Sequence, residues 1–247
     1  MVLVRSIQAY FENIVTSIIF VLMGVFGFFF ILLSDFYLSS GNVFLEYGFW
    51  NSPLLDVVVS LALIFISLAF FCVFCAAVIF AVRADLTKVK FLHYVTEKLP
   101  RFSMELFEFY FLLFVAELVI GSVLLSLGVP NVVVALVLLV LNAVLVFVPQ
   151  SIVVDELSWV DAVGFNLNFV ATNPGTTLWV WLAGIIMVGA LPFIELFFDR
   201  FDFAGRFVSL FVALLIVVPL YETMKTVAFM TKFGLVKESM NARKDAR

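Results

Sequence analysis

The sequence predicts an all-α, polytopic integral membrane helix bundle, and three observations carry that prediction. Of its 247 residues, 65% are apolar and 13% are charged, with a mean hydropathy of +1.22. A soluble domain has about 25% charged and 45–50% apolar residues, so no water-facing shell can be built from this composition. The second observation is a series of six long apolar runs, each near the ~20 residues that a helix needs to cross about 30 Å of hydrocarbon. The third is that Lys and Arg gather in segments that would share one side of the membrane. One membrane domain, residues 1–247, follows.

The six spans are expected over about 14–33, 53–82, 104–127, 132–148, 177–198 and 206–230. The first carries no charge, and its apolar run is longer than the roughly 7–15 residues of a secretory signal, so it reads as a retained span. The second is longer than a perpendicular helix needs, which implies tilt, a bend or an emerging end. Only Gly128-Val129-Pro130-Asn131 separates the third from the fourth, which makes them an antiparallel hairpin. Asn51-Ser52-Pro53 and Asn173-Pro174 place a polar residue before a proline, a combination that starts helices because the first turn does not need the missing N–H.

Basic residues near membrane ends stay on the cytoplasmic side. With six spans and the N-terminus inside, twelve of the fourteen fall inside: Arg5; Arg83, Lys88, Lys90, Lys98 and Arg101; Lys225, Lys232, Lys237, Arg243, Lys244 and Arg247. Only Arg200 and Arg206 fall outside. Both termini are therefore expected in the cytoplasm, and the protein in the cell membrane. Two inner segments read as amphipathic helices on the membrane surface. In 86–99, Phe91, Leu92, Val95 and Leu99 oppose Lys90, His93 and Glu97. In 159–172, Ser158 and Asp161 form a capping box, and Trp159, Val160, Val163, Leu167 and Val170 oppose Asp161 and Asn168.

Polar groups inside the spans are the candidates for function, since a charge at mid-helix costs roughly 2.5–3.5 kcal/mol on insertion scales. Glu117 lies eleven positions before Gly128 and Asn142 eleven after Asn131, so both sit about 16 Å below the hairpin turn. They make either a proton- or cation-binding site or, as the favoured reading, an interhelical hydrogen bond. Tyr221, Glu222 and Lys225 follow Pro219 and read as an anchor at the inner interface, with a cavity cluster as the alternative. Pro149, Pro192 and Pro219 are kink candidates, and Glu195 near Pro192 reads as a carboxylate reaching the outer surface.

Other chemistry finds little support in the residues. Cys72 and Cys75 share a face within a span, where a redox pair would lack an exposed, activated thiolate, so they read as packing residues. His93 is the only histidine and cannot complete a zinc site with them. Asp155, Glu156 and Asp161 either solvate their loop or hold a metal with a phosphorylated head group, and solvation is favoured. No phosphate-cradling glycine loop, zinc-protease histidine pair or nucleophile elbow is present. A net charge of −4 excludes nucleic acid as a partner class, and no cofactor or metal is expected.

The stretch PQSIVVDELSWVDAVGFNLNFVATNP and the ending PLYETMKTVAFMTKFG resemble six-span membrane proteins of largely unknown function, related to the membrane domain attached to some glycerophosphoryl diester phosphodiesterases. There a proline ends span four, an acidic run and an amphipathic helix follow, and an Asn-Pro-like start opens span five. The family's polar helix commonly carries basic residues, whereas 165–172 has none here. The resemblance implies a six-helix fold and no reaction, because the soluble phosphodiesterase domain does not occur in these residues. The leading expectation is a non-catalytic scaffold or accessory subunit meeting lipids or a membrane or cytoplasmic protein partner. The alternative is a small permease or channel-like transporter using Glu117, Asn142 and kinked spans five and six, and a lipid-acting enzyme comes third.

Overall fold

A chain solvated by hydrocarbon must pair its peptide groups within its own helices, and most of the described residues are helical. This computed structural model describes residues 2–25, 36–39, 42–45, 54–87, 97–200 and 205–232. The elements are α1 (Val2–Glu12), α2 (Ile14–Ile18) continuing as a 3₁₀ turn (Ile19–Leu22), β1 (Phe36–Ser39), β2 (Asn42–Leu45) and α3 (Leu54–Thr87). Then come α4 (Leu99–Ser126), α5 (Asn131–Val144), α6 (Val148–Val154), α7 (Trp159–Thr172) and α8 (Pro174–Asp199). Last are α9 (Gly205–Val212), a π-helical stretch (Ala213–Val217) and α10 (Val218–Lys232).

Among the described residues five helices are long and apolar enough to cross a membrane: Leu61–Thr87, Leu99–Ser126, Asn131–Val154, Pro174–Asp199 and Gly205–Thr231. A sixth crossing is reached only by counting Leu3–Glu12 and Ile14–Val25 together, and these are bent by 78°. The sharp turn at Asn13 comes just before the first span expected over 14–33; residues 14–25 follow it, and 26–33 lie outside the described residues. At the turn Asn13 Nδ2 donates to the Ala9 carbonyl at 3.0 Å. One short antiparallel ladder, with Phe36 opposite Leu45 and Ser39 opposite Asn42, is set into an otherwise helical chain, in keeping with the all-α expectation.

The α4–α5 hairpin closes as its sequence requires. Gly128 takes the left-handed φ of +75° that glycine adopts without a Cβ clash. Its N–H reaches the Leu125 carbonyl at 2.9 Å, and the Val129 N–H reaches Leu124 at 3.1 Å. These are the two bonds of a Schellman cap, which satisfy carbonyls left over at the helix end.

Pro149 acts as expected, by breaking a helix, and it does so within the fourth candidate span. Its ring has no N–H to offer and crowds the carbonyl four residues back, so α5 ends at Val144 and the fully buried α6 starts at Val148. A residue outside the candidate set repairs the gap. Buried Asn166 of α7 accepts from the Phe147 N–H at 3.2 Å and donates through Nδ2 to the Val144 carbonyl at 2.7 Å. Packing fixes the same point, because the rings of Phe147, Phe169 and Phe229 meet with centroids 4.9–6.0 Å apart.

Helix α7 has the expected N-cap: Ser158 Oγ accepts from the Asp161 N–H at 3.3 Å, and Glu105 of α4 accepts from the Trp159 N–H at 2.9 Å. Its buried face overlaps the expected one but is centred elsewhere. Ala162, Asn166 and Phe169 are buried and Trp159, Val163 and Val170 pack partly buried against the core, while Val160 and Leu167 are exposed. The 3.6-residue pattern was shifted because the apolar side chains alone cannot reveal that an asparagine belongs to the core. Most of the amphipathic segment expected over 86–99 lies outside the described residues; Leu86 and Thr87 extend α3.

Pro219 sits in an otherwise continuous helical run directly after the π-helical stretch. The carbonyl deprived of its partner, Leu215, accepts instead from Tyr10 Oη of α1 at 2.7 Å. Pro192 lies within α8, which runs through it unbroken. Residues 74–82 of α3 and 222–230 of α10 are buried throughout and pack against α6.

Replacing Asn166 with Leu should lower stability by about 2–4 kcal/mol, because two buried backbone groups lose their partner. Thermal unfolding in detergent measures this, with the exposed Asn168→Leu as a control expected to stay near wild type.

Candidate functional site

The sequence-predicted polar residues fall into separate groups. Asn142 Nδ2 donates to Glu117 Oε1 at 2.5 Å and to the Leu138 carbonyl at 2.9 Å. This pair bridges α4 and α5 at their matched depth, with Glu117 half-buried and Asn142 exposed on the outside of the bundle.

Glu222 and Lys225 were expected as an interfacial anchor, and burial overturns that reading. Both side chains are about as enclosed as the apolar core, with residue exposures of 3% and 4%. Lys225 Nζ lies 2.7 Å from Glu222 Oε1 and 5.1 Å from the centre of the Tyr221 ring. Gln150 of α6 donates through Nε2 to Glu222 Oε2 at 3.0 Å. The group is thus a lock between α6 and α10, built of one local ion pair and one interhelical hydrogen bond. Gly184 of α8 lets Tyr221 lie against the backbone, since a Cβ there would come within 2.8 Å of the ring. Gln150 Oε1 and Thr223 Oγ1 are buried without a hydrogen-bond partner. Cys72 and Cys75 are free and buried.

A third group holds the basic end together. Glu156 takes the left-handed φ of +59°, a conformation unusual for a residue with a Cβ. There it receives Arg83 Nη1 at 3.0 Å and Lys98 Nζ at 2.5 Å, and the same Arg83 nitrogen donates to the Val153 carbonyl at 3.1 Å. One carboxylate therefore ties the end of α3, the start of α4 and the end of α6. Partial burial pushes the Glu156 carboxyl up, but its hydrogen bonds with Lys98 and Arg83 and their charges prevail and hold it below the usual range. Burial pushes neighbouring Asp155 up to about 6 against the lowering pull of Arg83. Of the acids Asp155, Glu156 and Asp161, the last accepts from Ser158 Oγ at 2.7 Å and Glu156 is taken up by Arg83 and Lys98. Among the described residues no three His, Cys, Asp or Glu side chains gather as metal ligands would; His93 lies outside the described residues.

Glu195 pairs with Arg206 at 3.6 Å, joining α8 to α9. Beside this pair the Gly205 N–H donates to Asp199 Oδ1 at 2.8 Å. Gly205 is required there, because a Cβ would collide with the Glu195 carbonyl and the Asp199 carboxylate.

Gln150, Asn166, Tyr10 and Glu105 were missed as working polar residues. Gln150 had a signal, as a lone amide in the apolar run after a proline; Tyr10 had none, because its partner is a carbonyl more than two hundred positions away.

Fold and site together define a helical chain with five helices fit for membrane spans and its interior charges paired among themselves. Compared with family models, curated proteins and solved structures, the chain finds no match.

Lys225→Met should destabilise by about 3–5 kcal/mol by stranding Glu222, and adding Glu222→Gln should restore most of the loss; unfolding of the single and double variants in detergent measures the difference. For Asp155 the sign is opposite to that of a salt-bridged acid. Its folded value lies above the ordinary 3.8, so its stabilising contribution falls as pH rises through that window to about 6. Asp155→Asn should therefore stabilise by about 1 kcal/mol at about pH 8, a figure discounted for solvent screening at this partly exposed site, and by less at about pH 5. Equal shifts at both pH values would contradict the assignment.

Proposed function

We propose that this protein is a non-catalytic scaffold or accessory subunit of the cell membrane, with six spans and both termini in the cytoplasm. In this reading the basic end and α7 face the cytoplasm and meet lipid head groups or a protein partner. The observation that carries it is the separation of the intramembrane carboxyls. Glu117 is engaged by Asn142 and Glu222 by Lys225 and Gln150, with no partner shared. A transport path needs polar groups converging on a cavity open to alternate sides, whereas a frame needs them spent on holding helices together. Helix α7 supports the partner role: three hydrogen bonds fix it to the bundle, one from the Trp159 N–H to Glu105 and two between Asn166 and the backbone of Val144 and Phe147, and it still exposes Val160 and Leu167. The resemblance to the six-span family agrees with this architecture and adds no reaction.

The permease reading keeps one observation in its favour, the unpartnered Gln150 Oε1 and Thr223 Oγ1 beside the buried ion pair. Two measurements separate the readings. A photo-crosslinker at Val160 or Leu167 in native membranes should give one defined protein adduct, and diffuse lipid labelling alone would count against a partner. Proton- or cation-coupled uptake in vesicles should be absent, and a flux abolished by Glu117→Gln or Glu222→Gln would replace the scaffold with a transporter.

A further inference from the structure

We propose that two copies of this chain associate side by side in the membrane through the α4–α5 face, with the Glu117–Asn142 pair of each copy completing that of the other. This goes beyond the scaffold reading and does not rest on it.

Among the candidate spans of the described residues α4 is the least buried. Only 11% of the apolar window of α4 is buried, against 50% for α3 and for the last span. Bare apolar helix is at home in lipid, but a carboxyl with an amide is not. Accounting of donors and acceptors shows what the pair lacks. Both hydrogens of Asn142 Nδ2 are used, on Glu117 Oε1 and on the Leu138 carbonyl. Asn142 Oδ1 and Glu117 Oε2 remain. With Glu117 as a carboxylic acid, the form that hydrocarbon favours, each copy offers one O–H donor and one carbonyl acceptor. A second copy supplies the matching acceptor and donor, which closes a four-residue ring with no group left over.

Symmetry makes this meeting easy. Copies inserted in the same direction are related by a two-fold axis along the membrane normal, which leaves depth unchanged. Glu117 and Asn142 already share one depth, so no shift of register is needed. Gly121 adds a third observation. It lies one turn beyond Glu117, and a Cβ built there meets nothing within 4 Å, so this chain's own packing does not call for a glycine. Small residues at such places let helix backbones of neighbouring chains approach closely.

The test is self-association of the full chain in phosphatidylcholine–phosphatidylglycerol vesicles, read by energy transfer between differently labelled copies. Wild type should associate, and Glu117→Leu with Asn142→Leu should weaken association at least about tenfold. Gly121→Phe should do the same; its side chain projects into open space, so the fold should keep its thermal unfolding temperature and the result stays interpretable if the polar double variant fails to fold. Under mild oxidation Leu139→Cys, one turn from Asn142, should give a covalent dimer, and Ile186→Cys on the exposed face of α8 should not. A wild-type chain that stays monomeric at every density would overturn the proposal. So would association untouched by Gly121→Phe, or dimers linked only through Ile186→Cys.

Discussion

Backbone hydrogen bonding in a solvent that offers none is the constraint on which the rest of this structure depends. A regular helix meets it automatically, and each irregularity must find another donor or acceptor. At the α4–α5 turn the backbone does this itself; at four other described places a side chain answers. Asn13 bonds back to Ala9 where α1 ends, Asn166 bridges the gap before Pro149, Tyr10 takes the carbonyl freed by Pro219, and Arg83 holds the Val153 carbonyl at the end of α6. These same bonds determine the tertiary arrangement. Tyr10 joins α1 to the π-helical stretch preceding α10, Asn166 joins α7 to the break between α5 and α6, and Arg83 joins α3 to α6. The irregular points are therefore where the bundle is fastened.

Charge obeys the same logic more strictly, because an unpaired ion costs more than an unpaired amide. Glu222 and Lys225 are three residues apart on one helix, so their pairing is local and survives small movements between helices. Gln150 then makes the pair sense its neighbour, since only the correct placement of α6 brings its amide to Glu222. A buried pair of this kind adds little net stability over well-packed apolar residues. Its physical effect is on uniqueness: an alternative packing of α6 would leave Glu222 one hydrogen bond short. Glu156 does comparable work at the basic end, where a left-handed backbone conformation that costs roughly 1–2 kcal/mol is held by two cations.

The parts legible in the sequence were those governed by one dimension. Length and apolarity located five of the helices, Gly128 and Pro130 fixed the hairpin turn, and equal counting from that turn brought Glu117 opposite Asn142. Ser158 and Asp161 announced a helix start for the same local reason. What could not be read depends on which faces meet. The inward face of α7 is centred on Asn166, and a pattern that places polar residues outside recovers Trp159, Val163 and Val170 but wrongly adds Val160 and Leu167. Lys225 near the end of a span looks like an anchor until α3 and α6 are packed around it. Polar Glu12 and Asn13 mark where the apolar run starts, but the 78° angle there depends on packing and is not written in the chain.

Polar residues are used in two ways in this bundle, and the difference bears on where other molecules can act. In the interior, valences are closed by the chain itself. Glu222 is filled by Lys225 and Gln150, and Asn166 by two backbone groups, and the few orphan atoms such as Gln150 Oε1 are sealed behind buried helices. An external ligand would have to unpack the core to reach them. On the perimeter the accounts stay open: Asn142 is exposed with its carbonyl unspent, and α7 exposes apolar side chains on a helix already fastened by three polar contacts. Rigid helices with unspent groups on their outer faces suit association, because ordering costs are met by folding before any partner arrives. The division follows from the solvent: hydrocarbon forces closure inside, and it leaves the same demand unmet wherever a polar group faces outward.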